Sequence, residues 1–417
     1  MITPSFGLTA TERVLPKLAL DFTTASLDSR VTFTRAGNTA TVVNSSGVIA
    51  SINANLPRFD YNPVTLVCKG LLIEEARTNT QLSSADFSNV AWTLQNTTVT
   101  TNALTAPDNT LSADVLTQNS ATSFHGLTGT IVVTSGTTYC WSVFAKAKES
   151  TFLQLTFGNT SGTFSGVGYA NFNLSTGVVS ATGGTLVGSG IEAYGNGWYR
   201  CSITATATAN GATNNWIAIA NSGTYTRLAS YAGDNASGFY IWGAQIETGA
   251  FATSYIPTVA SQVTRTADVA TMTGTNFSDW YTATTGAAVV WAIPQAATGT
   301  RPLIQFDDTT ANEIIVLRGN VANPELYIID GGAPQAQIDA GTIVANTAYK
   351  LSGAWNTDSC AAAQNGAAAV TDNTATIPTP TQLRIGSDGT NYASAWVQKI
   401  LYYPQRLTNA EVQAFSK

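Results

Sequence analysis

The residues able to do chemistry are few in this chain, and their spacing fits no nucleophilic or metal centre. His125 is the single histidine, in Ser123-Phe-His-Gly126, with no serine or cysteine nucleophile motif beside it and no G-x-S-x-G anywhere. Alone, it reads as a packing residue. Cys68, Cys140, Cys201 and Cys360 show no C-x-x-C spacing, which with one histidine leaves no zinc site. They read as buried, reduced thiols, with a bridge between Cys140 and Cys201 left open.

A glycosidase needs only two facing carboxylates. The candidates are Glu74-Glu75, Asp307-Asp308, Asp330 and Asp339. Neighbours in a strand point to opposite faces, so Glu74 and Glu75 cannot share one substrate. Asp307-Asp308 reads as a solvated turn after a strand. No catalytic residue is assigned. Gly183-Gly184 and Gly331-Gly332 read as hairpin turns, since neither opens a helix to cradle phosphate. Asp388-Gly-Thr-Asn391 and Gly233-Asp-Asn235 could approach calcium but lack EF-hand spacing, so they too read as turns. No cofactor or metal is expected.

Aromatic side chains are the remaining resource. Nine Trp and fifteen Tyr supply flat rings, which with hydroxyl and amide groups are what sugar recognition requires. Trp141, Trp198, Trp242 and Trp355 sit within strand-like runs and read as core. Trp216 follows the polar Ala212-Thr-Asn-Asn215, and Tyr225 and Tyr231 flank Arg227 in a loop-like stretch. Trp216, Tyr225, Arg227 and Tyr231 are therefore the candidate ligand platform, with ordinary sandwich packing as the competing explanation.

Strands must position these residues. Phe152-Leu-Gln-Leu-Thr-Phe157 and Ala170-Asn-Phe-Asn-Leu174 alternate strictly, and Thr138–Lys146, Gly197–Thr206, Trp216–Ala220 and Gly238–Glu247 are β-branched and aromatic. Turn residues punctuate them. After Ala250–Thr258 and Ser261–Asp268, a second series runs from Ala287–Ile293 through Leu303–Phe306, Glu313–Leu317, Leu326–Ile329, Ala348–Trp355 and Leu383–Gly386 to Trp396–Tyr403. The fold expected is all-β: tandem β-sandwich (jelly-roll) domains with one short C-terminal helix. That helix, Asn409–Phe415, starts at a capping box, Thr408 with Glu411, stapled by Leu407 and Val412. The expected division is an attachment segment over 1–60, a jelly roll over 61–260 and a second sandwich over 265–417. Leu18–Phe22 and Val31–Arg35 look like strands within the first segment.

Composition sets the partners. Hydrophobic residues reach 44% but charged ones only 11%, well under the roughly one quarter of ordinary globular proteins. Solubility then rests on Thr, Ser, Asn and Gly, which suits a long-lived exterior surface or faces covered by copies of the chain. A net charge of −6 with scattered basic residues argues against nucleic acid. Met1–Ala10 has no basic region or apolar core, so no secretion leader is expected, and no run approaches a membrane span.

Several stretches together resemble bacteriophage virion proteins and their prophage relatives: Leu27–Ala36, Pro57-Arg-Phe-Asp-Tyr61, Gly70–Asn79, Phe87–Trp92, Gly197-Trp-Tyr-Arg200, Trp242–Glu247 and Thr253–Thr258. Their order is similar to carbohydrate-binding-module-like jelly rolls of tail fibres and head spikes. The C-terminal part, with Gln364-Asn-Gly366, Leu383–Ser387 and Leu401–Glu411, resembles a concanavalin-like lectin/glucanase sandwich. The resemblance implies a non-catalytic virion subunit on the particle exterior, assembled in the host cytoplasm and binding host-surface polysaccharide during adsorption. It implies a homo-oligomer, a trimer if a fibre, attached to other virion proteins through the N-terminal segment. A purely structural decoration protein and a polysaccharide depolymerase are the alternatives. Head or tail location and the identity of the glycan are left open.

Overall fold

The computed structural model describes residues 15–37, 39–158 and 162–417. The Met1–Ala10 stretch read for a leader lies outside them. The described chain is nearly all β, and its strands form two sandwiches. Among the described residues no helix is long and apolar enough to cross a membrane.

The first sandwich stacks two six-stranded antiparallel sheets built from Thr93–Thr248. One sheet centres on Thr138–Ala147 between Trp198–Thr206 and Gly238–Thr248. The other centres on Gly211–Ala220 between His125–Val133 and Phe152–Phe157. Alternation explains the packing: Leu153, Leu155 and Phe157 turn inward with Phe172, Ile217 and Ile219, and meet Trp141, Val143, Ile203 and Phe239 from the facing sheet.

The second sandwich pairs an eight-stranded sheet with a seven-stranded one. Here the expected division fails. The described residues of the expected segment 1–60 do not stand apart, because Leu18–Asp21 pairs with the last strand, Ala395–Tyr403, and Thr32–Thr34 pairs with Val269–Thr273. Phe59–Tyr61 and Cys68–Ile73, parts of the expected segment and jelly roll, join the same eight-stranded sheet. Leu18, Leu20, Phe22, Val31 and Phe33 lie in one core with Phe306, Trp355 and Tyr402. Burying each such side chain contributes roughly 1.5–3 kcal/mol, which fixes the N-terminal strands there. The first sandwich is thus an insertion in the second. Its entry and exit, Arg77–Asn79 and Val263–Arg265, pair with each other as a neck. The hairpin Ala40–Val43 with Ile49–Ile52 lies against the insertion, where Val43 and Ile49 pack with Phe144, Trp198, Trp242 and Tyr255.

A buried ionic cluster sits at this neck. Glu74 accepts from Arg58 Nη1 and lies 2.7 Å from Arg265 Nη1, and Arg35 Nη1 donates to Asp268 at 3.1 Å. Arg58 Nη2 also pairs with Asp268, and all five side chains are fully buried. Ser254 N and Oγ donate to the two Glu74 oxygens.

Local features follow the sequence closely in places. Asn409–Phe415 is a helix whose capping box is complete, with Val412 and Leu407 buried together. A single turn, Thr275–Ser278, adds a second α-helix, with Phe277 in the core. Gly331 and Gly332 form a two-residue hairpin turn at φ +60° and +78°, the left-handed pair that such a tight turn needs.

Candidate functional site

The two faces of the inserted sandwich differ in what they have left to offer. The sheet carrying Phe144, Trp198 and Trp242 turns its outer face onto the Ala40–Ile52 hairpin and the neck. The other sheet turns its outer face away from that junction. On it stand Gln154, Thr156, Asn171, Thr128 and Trp216, the alternates of the inward residues.

A loop over residues 221–237 folds back across this face, and polar side chains of the sheet hold it. Asn171 Nδ2 donates to Gly223 O and Tyr225 O, Gln154 Nε2 to Thr226 O, and Gln154 Oε1 accepts from Leu228 N at 2.7 Å. Arg227 Nε donates to Thr156 Oγ1 at 2.9 Å, and Nη2 to Gly158 O. Gln154 and Asn171 are themselves bonded at 2.7 Å. Gln154 and Asn171 are buried amides on this outer face, and the loop is what satisfies them.

All four residues singled out in the sequence fall here, each half-buried. Trp216 is not preceded by a loop as expected. Ala212–Asn215 is strand, and Thr213 and Asn215 point inward, Asn215 donating to the buried Gln81 Oε1. Trp216 stands in register with Thr128 and Thr156, its ring edge-on to Phe124 at 5.2 Å. Tyr225 and Tyr231 approach at 5.8 Å between ring centres. Tyr231 lies in the short strand Tyr231–Ala232, paired with Thr122–Ser123, and its hydroxyl is held by Gln118 Oε1 at 2.8 Å. Burial pushes that phenol well above its ordinary range, so it stays protonated as a donor.

His125 begins the strand beside this loop. It is fully buried, with Nδ1 at 2.8 Å from Asn96 O and its ring 4.7 Å from Tyr231, as a packing residue would be. Phe124 is the residue that sequence reasoning missed. It sits next to the histidine and gave no signal of its own, because its contact with Trp216 depends on strand register.

The candidate carboxylates are already engaged. Glu74 belongs to the neck cluster, and Glu75 pairs with Arg77 at 2.5 Å. Asp307 is not the solvated turn residue expected. It closes the strand Arg301–Asp307, is 1% exposed, and accepts from Gln305, Gln382, Arg384 and Thr309 N. Asp388 and Asp234 accept backbone N–H groups within their own turns. Among the described residues no cluster of three or more His, Cys, Asp or Glu could hold a metal. Cys140 and Cys201 are free, and they cannot meet: Cys201 faces the core opposite Val143, while Cys140 lies three residues along on the other face, about 10 Å away.

A cavity of about 890 Å³ opens between the two sandwiches, lined in part by Asp60, Lys69, Arg200, Phe251 and Trp396. Several of its charged groups are engaged with one another or with backbone. Asp60 pairs with Lys69 at 3.0 Å and accepts from Trp396 Nε1, and the Lys69 ammonium covers the Trp396 ring at 3.5 Å. Arg200 donates to Thr253 O and Ser142 Oγ. The outer face around Trp216 keeps aromatic edges and arginine donors available, and it is the stronger site.

No protein-family model matches the sequence, and no curated protein matches it. Among solved structures the chain is similar to the CBM40 of Ruminococcus gnavus IT-sialidase bound to α2,3 sialyllactose, at 11% identity and a TM-score of 0.29, over 34% of this chain and 88% of that one. It is similar to domain 4 of AbnA, a GH43 extracellular arabinanase from Geobacillus stearothermophilus in complex with arabinotriose, at 13% identity and 0.29, over 40% and 82%. It is also similar to domains LG4-5 of the mouse laminin α1 chain, at 8% and 0.23, over 81% and 91%. These likenesses are to carbohydrate-binding and lectin-like β-sandwiches, and at such scores they decide nothing about the site.

Proposed function

We propose that the protein binds carbohydrate without turning it over, as a subunit on the exterior of a bacteriophage particle, and that the outer face around Trp216 is where the glycan sits. The observation that carries this is the gathering of Trp216, Phe124, Tyr225, Arg227 and Tyr231 on the sheet face turned away from the second sandwich. Aromatic rings beside fixed polar donors are the recognition chemistry of sugars, and a rigid sheet holds them ready. The engagement of Glu74, Glu75 and Asp307 in internal ion pairs and hydrogen bonds favours binding over hydrolysis.

The virion setting rests on the sequence stretches that resemble phage fibres and spikes. With it go assembly as a closed homo-oligomer, a trimer in a fibre, and contact with other virion proteins through the N-terminal strands. The test is adsorption of the purified full chain to host envelope or capsule, beside Trp216→Ala. Saturable binding lost in the variant supports the reading, and a wild-type chain that binds no host glycan removes it in favour of a purely structural subunit. Shortening of the polysaccharide on incubation would replace binding with depolymerisation.

A further inference from the structure

Most of the described arginines are neutralised. Among the eleven described, eight lie within ion-pair distance of a carboxylate. Arg227 is an exception at the candidate site. It is half-buried, and no carboxylate pairs with it among the described residues. The neighbouring residues 159–161 are Asn, Thr and Ser, so the sequence supplies no acid there either. The acid nearest along the loop, Asp234, is taken up by Gln118, Ser237 and its own turn.

The guanidinium is also held in one orientation. Its Nε and one Nη2 hydrogen go to Thr156 Oγ1 and Gly158 O, which occupies one edge of the planar group and fixes its plane. Nη1 donates to no described residue. Among the described residues the Nη1/Nη2 edge is therefore open. That edge matches a carboxylate with two parallel N–H···O bonds, the strongest geometry arginine offers. Thr156, which holds Nε, is the register partner of Trp216, so the backbones of the two residues lie roughly 5 Å apart on adjacent strands.

We propose that this face selects a glycan bearing a carboxylate, a uronic or sialic acid residue, with Arg227 taking the carboxylate on its free edge and the aromatic rings bordering the sugar. The proposal rests on the carbohydrate-binding reading above and names the ligand class of that same site. A half-buried cation without a partner is costly to fold around, and a ligand anion is the partner that offsets it. The low charge of the surrounding surface leaves the Arg227 field unscreened by neighbouring acids.

The experiment uses the full chain and a panel of uronate- and sialate-terminated oligosaccharides, each beside its own methyl ester, with neutral oligosaccharides alongside, titrated by calorimetry. Esterification keeps every hydroxyl, removes the charge and adds one methyl, which is why the Arg227→Gln arm is read beside it. At least one acid should bind, its ester should be at least about thirtyfold weaker, and binding should weaken as salt rises. Arg227→Gln should erase the difference between acid and ester while circular dichroism stays unchanged, and Arg227→Lys, which keeps charge without the fork, should restore part of it. Esters bound as tightly as acids, or an acid preference that survives Arg227→Gln, would overturn the assignment while leaving carbohydrate binding intact. Failure of acids, esters and neutral sugars alike would instead remove the reading on which it rests.

Discussion

Arg58 and Asp268 lie 210 residues apart in the chain and meet as an ion pair with both side chains fully buried. Between them the chain builds the whole inserted sandwich, so this contact closes its root. The other members of the cluster arrive from separate stretches. Arg35 ends Val31-Thr-Phe-Thr-Arg35, Glu74 comes from Gly70–Asn79, and Ser254, which donates to it, comes from Thr253–Thr258. These are the stretches on which the phage resemblance was read. What they share physically is the junction between the two sandwiches, not a ligand site.

Replacing one partner in this cluster strands the others. Arg58→Met leaves Glu74 and Asp268 buried with less compensation, and breaking a buried pair in this way costs about 3–5 kcal/mol. Urea unfolding should show a lower midpoint for Arg58→Met than for Arg30→Met, whose half-exposed pair with Asp28 is worth about 1 kcal/mol at most. Equal midpoints would mean that the cluster does not hold the neck.

The same cluster sets an acid limit. Burial alone would raise the Glu74 carboxyl, but Arg265 and Arg58 outweigh it and hold the group well below the ordinary range near 4.5. The unfolded chain therefore binds this proton at higher pH than the folded one. The stabilisation is complete above the unfolded value and is lost as pH falls through it toward the depressed folded value. Thermal melting between pH 7 and pH 3 should show the loss beginning below about pH 5, and Glu74→Gln should flatten that part of the curve.

Much of the strand order was legible, and the reasons for the failures are particular. Phe152–Phe157 and Ala170–Leu174 alternate because one face is core, so their faces could be read directly. Gly188–Ala193 and Cys360–Gln364 gave no such pattern. The first is an edge strand exposed along much of its length, and the second is alanine-rich and buried on both sides. The insertion was not readable, because Leu18 pairing with Tyr402 leaves no local mark in either segment. Trp216–Ala220 reads correctly as strand, but Ala212–Asn215, the earlier half of the same strand, reads as a polar loop, since Thr213 and Asn215 are polar residues turned inward.

Trp216 and Trp141 should separate under mutation. Trp141 is fully buried between the two sheets, and Trp141→Ala should cost about 3–5 kcal/mol. Trp216 stands half-buried on the outer face against Phe124, so Trp216→Ala should cost less stability and at least about 2 kcal/mol of glycan affinity, roughly thirtyfold. Paired unfolding and binding titrations check this. A Trp216→Ala chain that loses stability like Trp141→Ala but keeps its affinity would make the indole a packing residue.

The four thiols should differ in reactivity by position alone. Burial pushes Cys140 and Cys201 far above the ordinary thiol range, and Cys360 up to about 11, so at pH 7.5 the thiolate that attacks a disulfide reagent is nearly absent at all three. Cys68 is also raised, first by burial, but it is only half-buried and lies at the edge of the inter-sandwich cavity. Native protein treated with an aromatic disulfide should therefore release at most one equivalent of thiolate, slowly, and Cys68→Ser should abolish that phase. Unfolding in denaturant without reductant should release four, because no bridge joins Cys140 to Cys201. Release of only two would place a disulfide between them and would require their strand to be in a register other than Val143 opposite Cys201.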